Sequence, residues 1–103
     1  KKDFLMKIVT ITSTFDAVDV AQARTCLKAA QSDALDSDEC LKYEVYWDDN
    51  GKIFIIHMWK TEEAFNAYRT SETFGQTIER LKPLMTSPPE SLSWNVPDLD
   101  GTA

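Results

Sequence analysis

The sequence predicts an α+β fold of the ferredoxin-like kind, ordered βαββαβ, with its four strands in one antiparallel sheet. Three observations lead there. Four short runs rich in β-branched and aromatic residues (4–14, 41–47, 52–59 and 90–96) alternate with period two. Two stretches of helical spacing fall between the first and second and between the third and fourth of these runs. Asp48-Asp49-Asn50-Gly51 joins the middle two runs and reads as a hairpin turn. With 103 residues the chain is read as a single domain over 1–97, followed by a polar, flexible tail over 98–103.

The first run, Phe4 to Thr14, is rich in Ile, Val and Thr and is assigned to strand. A helix follows from about Val18 or Asp19 to Ala34, with Asp16 or Asp19 as candidate cap. Val20, Ala23, Leu27 and Ala30 form its buried stripe, and the acidic residues Asp33, Asp36, Asp38 and Glu39 read as a solvated stretch. In the second strand Leu41, Tyr43, Val45 and Trp47 share one face, and Lys42, Glu44 and Tyr46 the other. The Asn-Gly pair is expected to supply positive φ angles to the turn. The third strand puts Ile53, Ile55, His57 and Trp59 on one face and Phe54, Ile56 and Met58 on the other.

Thr61 caps the next helix, whose first turn carries Glu62 and Glu63, the right sign for its dipole. Its inner side is Ala64, Phe65 and Tyr68. Ser71 restarts the helix with Phe74, Ile78 and Leu81 in register until Pro83 stops it. Ser87-Pro88-Pro89 is a rigid spacer, and the last strand shows Leu92, Trp94 and Val96 on one face. Helices cover one face of such a sheet, so one of the two apolar sets of the third strand is left bare; alternation does not say which. A second copy of the chain laid on that face would bury it, which predicts a homodimer.

A net charge of −6 excludes the basic patch that nucleic acid or an anionic membrane surface requires. No apolar run approaches the ~20 residues of a membrane span. The opening Lys1-Lys2-Asp3-Phe4 does not read as a signal peptide and, lacking Met, reads as a trimmed or processed end. Cys26 and Cys40 lie in different elements without metal-type spacing, which predicts reduced thiols and a cytoplasmic protein. No metal-ligand cluster and no Gly-rich phosphate loop is present, so neither a metal nor another cofactor is predicted.

Cys40-Leu41-Lys42-Tyr43-Glu44-Val45-Tyr46, the Asp49-Asn50-Gly51 turn, Phe54-Ile55-Ile56-His57-Met58-Trp59, Glu62-Glu63-Ala64-Phe65 and Ser71-Glu72-Thr73-Phe74 together resemble the antibiotic biosynthesis monooxygenase family. The resemblance covers roughly residues 4–96. It implies a dimeric α/β barrel similar to the quinol monooxygenases and the anthrone-oxidising enzymes of polyketide pathways. The chain departs from the family pattern at three points. His57 stands for the usual Glu of Glu-x-Trp, Glu39 for the usual Gly, and Tyr68 for the usual helix His. The axial histidine of the haem-degrading branch is replaced by Ile78, and the first strand has no Asn, which argues against haem degradation.

Cofactor-free oxygenation, as the resemblance implies it, uses the substrate as reductant and O₂ as oxidant. The protein needs a dry aromatic pocket, a base, and donors for a developing oxyanion. His57 is the candidate base by type, and Tyr68 the second candidate catalytic residue. Tyr43, Trp59 and Phe74 are the candidate walls of a substrate site, and Glu44 is an alternative base. The predicted function is a monooxygenase of a small aromatic or polycyclic hydroquinone, phenol or anthrone. Two other readings stay open: a non-catalytic small-molecule-binding or stress-response module, and a small-carbonyl isomerase with His57 as proton shuttle.

Overall fold

The computed structural model describes residues 5–97. The predicted tail and the strand start at Phe4 lie outside the described residues. Strand β1 (Met6–Thr14) leads through a 3₁₀ turn (Ala17–Asp19) into helix α1 (Val20–Leu35). The hairpin β2 (Cys40–Trp47) and β3 (Lys52–Trp59) follows, then α2 (Glu62–Arg69), α3 (Glu72–Leu81), a 3₁₀ turn (Lys82–Leu84) and β4 (Glu90–Val96). The sheet runs β2-β3-β1-β4 with every neighbouring pair antiparallel, the ferredoxin-like order. Among the described residues no helix is long and apolar enough to cross a membrane.

Helix α1 is rich in alanine and lays a narrow stripe of Ala23, Leu27, Ala30 and Ala34 on the sheet, all buried. Small side chains in the stripe let the helix backbone come close, and Gln31 reaches down to donate a 2.7 Å hydrogen bond to the Tyr43 carbonyl on β2. Val20 is only half-buried. Neither Asp16 nor Asp19 caps through its side chain, contrary to expectation. The 3₁₀ turn precedes α1 directly, so Asp19 already has helix-like angles (φ −101, ψ −3) instead of the extended backbone that a side-chain cap uses. The two later helices obey the local rules: Thr61 Oγ1 accepts from the Ala64 N–H (3.1 Å) and Ser71 Oγ from the Phe74 N–H (3.2 Å).

Two local expectations need correction. Only Gly51 takes a positive φ (+84) in the β2–β3 connection; Asn50 does not. The turn is closed instead by Asp48, whose carboxylate accepts from the N–H groups of Asn50 and Lys52, both at 2.9 Å, while its own N–H donates to the Lys52 carbonyl. A β-bulge falls between Cys40 and Lys42 on β2, so Leu41 is an extra residue without a partner on β3. Leu41 is therefore exposed and does not share the face of Tyr43, Val45 and Trp47; Cys40, opposite Trp59, takes the inner position.

The register decides which face is which. Val9, Ile11 and Ser13 of β1 stand beside His57, Ile55 and Ile53 of β3, and these pair in turn with Tyr43, Val45 and Trp47 of β2. This set, with Trp59, lies under the helices and holds the core. Phe54, Ile56 and Met58 are on the opposite, helix-free face with Leu92 and Trp94 of β4. The Ser87 end of the spacer is held to the end of β1 by Thr14, whose hydroxyl meets Ser87 Oγ at 2.8 Å.

Candidate active site

The third strand is central in the sheet, and His57 sits in its middle, with Val9 directly across on β1 and Tyr43 directly across on β2. Helix α2 crosses above. Its spacing of three brings Phe65 and Tyr68 down onto the imidazole, at ring-centroid distances of 5.6 and 6.0 Å. Tyr43 is nearer, at 5.1 Å. Phe74, the third residue of α3, packs on Tyr68 at 5.2 Å. A cavity of about 440 Å³ lies between this part of the sheet and helices α2 and α3. Its size falls in the range of ~300–1,000 Å³ usual for small-molecule sites.

Tyr43, His57, Tyr68 and Phe74 all line the cavity, among Ile, Leu and Val side chains. Trp59 does not. It is 1% exposed, turned away from the cavity into the seam between sheet and α2, with its ring 4.9 Å from that of Tyr68. Its indole N–H runs back along the strand and donates a 2.7 Å hydrogen bond to His57 Nδ1. In this cavity Trp59 acts through its contact with the histidine; with Tyr68 it lines a separate pocket of about 350 Å³ beside Asp33, Ser37 and Ser71. Glu44 is excluded from the cavity too: it pairs with Ile56 on the helix-free face and accepts a 2.5 Å hydrogen bond from the Tyr46 hydroxyl.

The apolar surroundings set the charge states. Burial lowers the pKa of His57 from 6.5 to about 4, so the imidazole is neutral at pH 7. Burial raises the pKa of Tyr68, with the neighbouring Tyr43 phenol adding to the effect. Tyr43 is raised as well, chiefly by burial, and its phenol interacts with that of Tyr68. These three side chains are therefore uncharged at neutral pH: one imidazole and two protonated phenols, with the Arg69 guanidinium as the cation of the lining. Cys40, below them on β2, is a free thiol whose pKa burial pushes up. Among the described residues no three His, Cys, Asp or Glu side chains come together as a metal site.

Beyond its aliphatic and small polar lining, the cavity has an aromatic and a charged residue that are not among the candidates named from sequence. Phe65, on the inner side of its helix, forms part of the cavity roof. Arg69 reaches the cavity from the exposed end of α2, its guanidinium 5.9 Å from the Phe65 ring centre, and Lys7 Nζ stands at the same distance from that ring. The visible signal was the Phe65–Arg69 spacing of four on a helix.

These features define a small α+β domain with an aromatic-lined cavity between a four-stranded sheet and its helices. Residues 6–80 match the sequence pattern of the antibiotic biosynthesis monooxygenases. The chain belongs to that family, which carries a general monooxygenase-like function. Solved structures agree on the fold. A protein of Caulobacter crescentus CB15, provisionally named an antibiotic biosynthesis monooxygenase, superposes with a TM-score of 0.86 at 13% identity, covering 93% of each chain. A Deinococcus radiodurans protein with the same provisional name gives 0.82 at 22% identity, over 89% of this chain and 93% of that one. A conserved protein from Methanosarcina mazei Go1 gives 0.84 at 16% identity, over 92% and 96%. At these identities the likeness is one of fold alone. No functionally curated protein matches the sequence.

Proposed function

We propose that this protein is a cofactor-independent monooxygenase of a small aromatic or polycyclic hydroquinone, phenol or anthrone. The observation that supports it is the cavity under α2 and α3, largely apolar and aromatic in its walls, with the His57 imidazole and the Tyr43 and Tyr68 phenols among its polar groups. A planar, electron-rich molecule packs against such rings, and its acidic O–H or C–H is brought beside His57, Tyr43 and Tyr68. Once deprotonated, the substrate is itself the reductant of O₂. For an anthrone, one oxygen atom becomes the new ring carbonyl, and the other leaves as water with the two methylene hydrogens. The methylene carbon supplies all four electrons that O₂ takes up. The protein excludes water, holds the ring plane, and faces the oxygen that turns negative with groups that stay protonated.

A second copy of the chain on the helix-free face is part of the proposal. Leu92 is 62% exposed, Tyr46 53% and Trp94 46%, and with Phe54 they leave an apolar sheet face uncovered in the single chain.

Oxygen uptake by the purified protein, with a panel of hydroquinones and anthrones and no added cofactor, tests the reading. Uptake above the uncatalysed rate is expected, falling about 10²–10³-fold in His57→Ala and less steeply in Tyr68→Phe. A folded protein with no uptake across the panel would move the assignment to small-molecule binding.

A further inference from the structure

His57 is the single histidine of the chain, and the indole of Trp59, two residues further along β3, is aimed at it. An indole nitrogen donates and cannot accept. The atom that it reaches at 2.7 Å, His57 Nδ1, must therefore hold a lone pair. A neutral imidazole with its lone pair on Nδ1 carries its hydrogen on Nε2. That second nitrogen has no hydrogen-bond partner among the described residues. No buried side-chain nitrogen or oxygen among them is left unpaired either, so Nε2 is not sealed in the packing. His57 lines the cavity, and Nε2 is the polar atom left for it to present there.

The geometry points to Trp59 as a positioning residue that holds His57 in its Nε2–H form, making the histidine a hydrogen-bond donor to the substrate oxygen that becomes negative and not the base that removes the proton. The identity of that oxygen rests on the oxygenase reading above. For Nε2 to act as base while Nδ1 keeps its indole bond, both nitrogens would need lone pairs, which is an imidazolate and far out of reach at neutral pH. Moving the hydrogen to Nδ1 instead breaks the indole bond, and Nε2, on taking the substrate proton, would then place a charge against Val9, Tyr43, Phe65 and Tyr68. Burial already opposes that charge, as the lowered imidazole pKa records.

The chemistry then divides as follows. The substrate O–H or C–H gives its proton to hydroxide where the cavity meets bulk solvent, forming water and the substrate anion, and no proton lodges on the protein. The anionic oxygen is met by His57 Nε2–H and by the Tyr68 hydroxyl, two neutral donors in an apolar wall, where such bonds are strongest. Trp59 is well suited to hold one orientation. It is buried, packed on Tyr68 at 4.9 Å and on Phe65 at 6.5 Å. The titratable groups around the imidazole are Tyr43 from β2 and Tyr68 from α2, both uncharged; the cations Lys7 and Arg69 each stand 5.9 Å from the Phe65 ring centre, and Arg69 also lines the cavity.

A single histidine makes the test direct. In ¹⁵N-labelled protein, the long-range proton–nitrogen pattern of the imidazole reports which nitrogen carries hydrogen, and a nitrogen–nitrogen coupling across the hydrogen bond reports the Trp59–His57 contact. The expected result at pH 7 is hydrogen on Nε2 and a coupling from the indole nitrogen to Nδ1. In Trp59→Phe the preference for hydrogen on Nε2 is expected to be lost, with hydrogen shared between Nδ1 and Nε2, a change of tautomer that lost packing alone does not produce. Hydrogen on Nδ1, or no coupling in the wild-type protein, overturns the proposal without any substrate. In the oxygen-uptake assay His57→Gln, which keeps an acceptor and an N–H donor but cannot act as a base, is expected to hold at least a tenth of wild-type kcat. His57→Ala is expected to lose 100-fold or more. Gln as inactive as Ala overturns the donor role. Absence of turnover in every form overturns the oxygenase reading instead, and the nitrogen couplings alone then decide whether Trp59 sets the tautomer.

Discussion

Lowering the pH should destabilise this protein through one group more than any other between pH 7 and 4. His57 is 2% exposed and holds its imidazole pKa at about 4, against 6.5 in an unfolded chain. In this window the unfolded state binds the proton that the folded state refuses, so stability rises with pH. The contribution is present in full above 6.5, is lost as pH falls toward and through about 4, and has no further slope below that, where both states are protonated. The difference between the two values corresponds to about 3 kcal/mol. Roughly 2 kcal/mol of it should disappear between pH 7 and 5. Asp48, whose pKa is lowered by the N–H groups of Lys52 and Asn50, adds its own acid sensitivity below its ordinary 3.8 and so stays outside this range. Urea denaturation at half-unit pH steps gives the curve, with His57→Gln as the comparison because it cannot titrate. The wild-type midpoint should fall steadily through the window while the variant stays nearly level. Parallel curves would refute the reasoning, since they would mean that the imidazole is charged or solvated in the folded state.

Two further outcomes are expected. Gly51→Ala should cost more than the ~1–2 kcal/mol of a left-handed alanine, because its Cβ would land on the Phe15 carbonyl oxygen and disturb the 2.9 Å bond from the Phe15 N–H to the Gly51 carbonyl; thermal unfolding measures it. Leu92→Glu, on the helix-free face, should shift sedimentation from dimer to monomer with secondary structure unchanged by circular dichroism, whereas a monomeric wild-type protein would remove the proposed partner copy.

The fold was legible because each element obeys a rule readable within a few residues. Thr61 and Ser71 cap the helices they precede, and the alternation of β3 sorts Ile53, Ile55, His57 and Trp59 from Phe54, Ile56 and Met58. The bulge at Leu41 defeats the same rule, since period two has no way to mark an inserted residue and the true inner side chain, Cys40, looks like its outward neighbour. Asn50-Gly51 misled in another way. Its dipeptide preference was outweighed by Asp48, whose carboxylate ties two backbone N–H groups and needs only one positive φ.

For the site, alternation placed His57 and Trp59 on one face, and that is as far as spacing reaches. Whether the indole opens on the cavity or runs along the strand depends on its rotamer, and the packing of Tyr68 and Phe65 from α2 decides the rotamer. The consequence is chemical as well as geometric. Read alone, a histidine in an apolar strand is a base because its ordinary pKa lies near neutrality. With an indole N–H on Nδ1 and aromatic rings packed around it, the same ring becomes a neutral donor. The residue type sets the range of roles open to His57, and the hydrogen bond on its far side selects among them.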